Sequence, residues 1–150
     1  MLFLTRILPS FLVAWLLTFT LASLFHSQYV VNQLVNVGVV VGFADRVNLT
    51  FDDWLGLLPT YGAIIAVALI VAFFVTWFIN KKLKGHYAGL FVIAGIAAFA
   101  TALIAIESIM NITIIAGARG WGFYLQLLAG AVGGYTFAQL IKVAKSTKKN

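Results

Sequence analysis

The sequence predicts an all-α integral membrane protein: four transmembrane helices, N-in and C-in, with an amphipathic outer segment between helices 1 and 2. Three observations carry that expectation. Residues 60–79 and 87–106 are two uncharged runs of twenty residues, flanking the basic turn Lys81-Lys82-Leu83-Lys84. At 1.5 Å per helical residue each run is about 30 Å long, the hydrocarbon thickness of a bilayer. The composition is 63% apolar and 9% charged, whereas a water-facing domain carries about 25% charged residues.

The third observation is how the charges are distributed. A formal net charge of +6 in a soluble chain would point to nucleic acid, but here the basic residues cluster at helix ends. Arg6, Lys81, Lys82, Lys84, Lys142, Lys145, Lys148 and Lys149 fall at one face of a four-span arrangement, and Asp45, Arg46, Asp52, Asp53, Glu107 and Arg119 at the other. Lysine and arginine mark cytoplasmic segments, and acidic residues contribute little to orientation. The basic face is therefore expected to be cytoplasmic, in a bacterial inner membrane. The chain has 150 residues and no cysteine. That length suits one transmembrane domain, and the missing thiols exclude disulfides, thiolate metal sites and cysteine nucleophiles.

In chain order, the first span is expected at residues 7–25, with Pro9 in its first turn, where no hydrogen bond is lost. A secretory signal peptide has a similar make-up; the segment is read instead as a span running from inside to outside. Residues 26–58 form the outer cap. Gln28, Asn32 and Asn36 recur every four residues opposite Val30, Val31, Leu34 and Val35, the pattern of an amphipathic helix at an interface. Residues 37–43 fit a short strand, a re-entrant segment or a loop. Thr50 reads as an N-cap with Asp53 at the third helical position, opening a short helix over 51–57. Pro59 then opens the second span, 60–79, with Trp54 and Tyr61 at its outer end and Trp77 at its inner end, as an aromatic belt.

The third span, 87–109, carries a stripe of small residues, Ala94, Ala98, Thr101, Ala105 and Ser108, at helical spacing. The fourth, 121–141, repeats Gln126, Gly130, Gly134 and Ala138 every four residues, and Gly133 makes a second small pair with Ala129. In lipid, helices associate through close packing of small residues and interhelical hydrogen bonds. Ala94, Ala98, Thr101, Ala105, Ser108, Gly130, Gly133, Gly134 and Ala138 are therefore the expected helix-packing or oligomer interface. A basic tail, residues 142–150, follows. Lys142, Lys145, Lys148 and Lys149 could attract anionic lipid.

Candidate chemistry is sparse. Glu107 is the only acid in an apolar run, near the outer end of the third span, and ionisable residues in spans are functional candidates. Glu107, Asn111, Arg119 and Gln126 form the candidate ion or polar path, set against a plain Glu107–Arg119 ion pair and a structural hydrogen bond from Gln126. No spacing gathers His26, Asp45, Asp52, Asp53 and Glu107 into a metal site, so no metal is expected. No cofactor is expected either. His26 and His86 lie at opposite faces, which excludes bis-histidine haem, and no mid-span lysine could form a Schiff base. Nothing pairs an acid with a base at one depth, so no enzyme is expected.

The stretch Asn111-Ile112-Thr113-Ile114-Ile115-Ala116-Gly117-Ala118-Arg119, followed by Leu128-Ala129-Gly130-Ala131-Val132-Gly133-Gly134, resembles uncharacterised small four-span bacterial inner-membrane proteins. The resemblance is concentrated in residues 111–138 and implies no activity. The functional expectation is a non-enzymatic membrane protein acting through assembly, as a homo-oligomer or small subunit of a larger membrane complex. The alternative is an oligomeric ion channel or small-solute transporter with Glu107 and Gln126 in the path.

Overall fold

The computed structural model describes residues 3–82, 87–110 and 115–146. Lys84, His86, Asn111, Lys148 and Lys149 lie outside the described residues, as does Leu83 of the basic turn. The described chain is predominantly helical, with no strand among the described residues. Five helices make four rods: α1 (Leu8–Asn36), α2 (Phe43–Leu57) continuing into α3 (Ala63–Lys82), α4 (Tyr87–Met110) and α5 (Trp121–Ser146).

Three rods are long and apolar enough to cross a membrane: Thr5–Asn36, Phe43–Lys81 and Tyr87–Ser108. At 26 residues α5 has the length, but glycines, Gln126, Gln139 and two tyrosines dilute its apolar content. In the bundle α4 packs between α3 and α5, and α1 closes against α5 on the other side.

Two expectations about the outer segment are corrected. The first helix does not stop at Phe25. It runs without a break to Asn36, 29 residues in all, or about 43 Å, so the amphipathic stretch 26–36 extends α1 instead of lying across the bundle. It ends where Gly38 takes φ +89°, a conformation only glycine adopts at little cost. Residues 39–42 are irregular. The second helix begins at Phe43, well before Thr50. Asp45 accepts a hydrogen bond from the Gly42 N–H (3.2 Å) and satisfies an orphan donor there. Thr50 is interior to the helix, with its hydroxyl donating to the Arg46 carbonyl (2.7 Å).

Between α2 and α3 the helix widens for one turn, Leu58–Gly62. Pro59 cannot donate to the carbonyl four residues back and would clash with it, and a wide turn accommodates both problems without stopping the rod. The Gly62 carbonyl accepts from the Trp15 indole (2.8 Å), tying this turn to α1.

The α4–α5 seam shows why glycine occupies these positions. A Cβ on Gly95 would strike the Gly130 carbonyl, and one on Gly134 would strike the Phe91 carbonyl. Backbone touches backbone here, which only small residues permit. Below this seam four rings from four rods form one cluster. Phe73 stacks on Phe137 with centroids 4.5 Å apart, Phe91 sits edge-on to both, and Phe11 meets both from α1.

Candidate functional site

The polar groups inside the bundle concentrate on α1. Thr18, Ser23, His26 and Ser27 are buried there, and Gln126 joins them from α5. Thr18, Ala22 and His26 are spaced by four, as are Ser23 and Ser27, so one helix face presents this row to α5 and α2. Polar groups enclosed this way need partners, and most have them.

Gln126 is fully buried and engaged at both ends of its amide. Its Oε1 accepts from the Tyr61 hydroxyl (2.9 Å) and its Nε2 donates to the Ala22 carbonyl (3.0 Å). One side chain thus ties α5 to the widened turn before α3 and to α1. One turn on, His26 Nδ1 accepts from the Gly117 N–H (3.1 Å), so in the neutral ring the proton is on Nε2. Gly117 belongs to the tight turn Ala116–Ala118 before α5 and lies against the His26 backbone, where a Cβ would collide.

Toward α2, the Ser27 hydroxyl lies 2.8 Å from Asp53 Oδ2 and 3.1 Å from the Ser23 carbonyl. The closer, charged acceptor is the stronger partner. Gln28 Nε2 donates to Thr50 Oγ1 (3.2 Å), and the Trp54 indole donates to Thr20 Oγ1 (3.2 Å). The Ser23 hydroxyl is the exception: it is wholly buried with no hydrogen-bond partner.

This arrangement holds helices together. His26 spends Nδ1 on a backbone amide, and the Ser27 hydroxyl faces the Asp53 carboxylate. No group of three metal-ligating side chains comes together among the described residues.

Of the expected path residues, Asn111 lies outside the described residues. Gln126 is sealed in the bundle, while Glu107 on α4 and Arg119 in the turn before α5 are exposed. The small-residue positions divide. Ala94, Ala98, Gly130, Gly133, Gly134 and Ala138 are buried within the chain, Ala105 is half-buried, and Thr101 and Ser108 face outward. Gly133 admits the Thr18 side chain of α1, so α5 uses its two glycine faces on two different neighbours.

Sequence reasoning missed Tyr61, Ser23 and Ser27 as members of the polar cluster. The fourfold spacing of Ser, Thr and His along α1 was the available signal. Comparisons with protein-family models, curated proteins and solved structures returned no match.

Proposed function

We propose that this chain is a multi-pass protein of the bacterial inner membrane, both termini cytoplasmic, that acts without catalysis by assembling with other membrane helices. Three rods apolar enough to span support the membrane reading. The crowding of lysines at one end supports the orientation. There Lys81 Nζ sits 3.7 Å from the centre of the Trp77 ring, the pairing of cation and aromatic suited to an interface.

Assembly rests on the outward face of α5. With both glycine faces of this helix used inside the bundle, the remaining arc carries Trp121, Tyr124, Leu128 and Tyr135, with Tyr124 71% and Tyr135 53% exposed. Tyr135 is one residue from Gly134, which packs on Phe91 near the start of α4. On the expected span 121–141 it lies six residues, about 9 Å, from the inner end, where acyl chains offer its phenol no hydrogen-bond partner. A neighbouring protein helix would provide one. Exposed Thr101 and Ser108 add hydroxyls to the outward face of α4.

The mass of the particle extracted in mild detergent tests the reading. A defined particle heavier than one 16.3 kDa chain with its detergent is expected. A monodisperse single chain with nothing co-purifying would contradict it.

A further inference from the structure

Beyond the four-rod bundle, α1 and α2 run side by side and leave a groove between them of about 530 Å³. Its walls are Leu24 from α1 and Phe43, Val47, Phe51 and Trp54 from α2. None of the residues of α2 is fully buried, and Phe43 is 83% exposed, so this surface lacks a cover.

The groove is overwhelmingly apolar from Phe43 to Trp54, with Arg46 and Gln28 among its lining residues. Trp54 marks one end, fixed by its bond to Thr20 and packed on Phe19 (5.6 Å). Arg46 stands eight residues from Trp54 along α2, about 12 Å. The nearby acids are otherwise directed. Asp53 faces Ser27 on α1, Asp45 caps Gly42, and Asp52 is on the side of the helix away from Val47 and Trp54. Arg46 is thus the one charge among the groove-lining residues.

The Trp54 end continues into a row on α1. Leu24, Leu17 and Val13 are all exposed and share one helix face, at spacings of seven and four. On the proposed topology that row faces the acyl chains, and Arg46 stands above it on the outer side. An apolar channel open to lipid below, with a guanidinium above, has the polarity of an anionic amphiphile. Arginine suits phosphate because its fork matches the oxygens.

We infer that the α1–α2 groove binds one anionic phospholipid of the outer leaflet, its acyl chain along Trp54, Leu24 and Leu17 and its phosphate at Arg46. The inference rests on the membrane-spanning reading above. It differs from attraction of lipid to the basic tail, because it lies at the opposite end of the molecule and needs a shaped groove.

The test is native mass spectrometry of the full chain, reconstituted with equal amounts of phosphatidylglycerol and phosphatidylcholine and released in mild detergent. The wild-type protein should retain one phosphatidylglycerol per chain in preference to phosphatidylcholine. Arg46→Gln should lower that retention at least about tenfold, the loss expected for a charge-assisted hydrogen bond. Leu24→Trp fills the groove without touching Arg46, and should lower it too, with helical content unchanged by circular dichroism in both variants. Soluble glycerophosphoglycerol in excess should not displace the lipid. Equal retention by Arg46→Gln, no preference between the two lipids, or displacement by the soluble headgroup would overturn the assignment. So would a Leu24→Trp variant that loses a protein neighbour and keeps its lipid, since the groove would then be a protein contact. Protomer number is read from the same spectra, so a single chain that still carries lipid would refute assembly and leave the lipid site standing.

Discussion

Helices α3 and α5 both pack against α4, yet their outward faces differ in kind. The exposed face of α3 is Val67, Ile70, Val71, Phe74, Val75, Phe78 and Ile79, with polar side-chain groups only at its lysine end, the Trp77 indole and Lys81. That of α5 is Trp121, Tyr124, Leu128 and Tyr135. Their inward faces differ as well. α3 buries bulk, with Ile65, Leu69 and Phe73, while α5 buries mostly small residues, with Ala129, Gly130, Gly133, Gly134 and Ala138 beside Gln126 and Phe137. In water an exposed apolar face would be the anomaly; in lipid it is the ordinary one, and the face with hydroxyls asks for another explanation. On the proposed reading, α3 faces acyl chains, whereas α5 touches protein on every side.

The largest break in that comparison should come from the α5 glycines. Gly134→Leu places side-chain atoms where the Phe91 carbonyl sits, and rigid backbone cannot move aside as a side chain can. The loss should exceed the about 1 to 3 kcal/mol of ordinary overpacking, seen as failure to recover a folded particle or a steep fall in melting temperature in detergent. Gln126→Leu comes next. It leaves the Tyr61 hydroxyl without a partner at a buried site and takes the second donor from the Ala22 carbonyl, and should cost about 1 to 2 kcal/mol in thermal unfolding.

Ser23→Ala should act with the opposite sign. Removing a buried hydroxyl that has no partner should leave stability unchanged or raise it by about 1 kcal/mol. Ile70→Val on the exposed face of α3 should be the smallest, within about 0.5 kcal/mol. A large loss there would mean that α3 too has a protein neighbour.

Much of the rod architecture was readable from composition and spacing. The uncharged runs lead to α3 and α4 nearly residue for residue, and the fourfold glycine repeat is the face that α5 turns to α4. The ends of α1 and α2 were not readable, for a physical reason. The polar period over 26–36 describes a helix but cannot say whether it continues α1 or starts anew, because no glycine or proline interrupts residues 10–37. Likewise Thr50 has the make-up of an N-cap, yet Gly42 and Asp45 supply an earlier one. The site was least legible. His26 meets Gly117 across 91 positions and Gln126 meets Ala22 across 104, and no local pattern encodes partners that far apart.

The central claim is that the outward face of α5 meets protein and that of α3 meets lipid. The chain has no cysteine, so single cysteines at Tyr124, Tyr135 and Phe74 can each carry a benzophenone and be photolysed in native membranes. The account predicts discrete protein cross-links from positions 124 and 135 and only lipid adducts from 74. Lipid adducts alone from both α5 positions, or protein cross-links of equal yield from position 74, would contradict it.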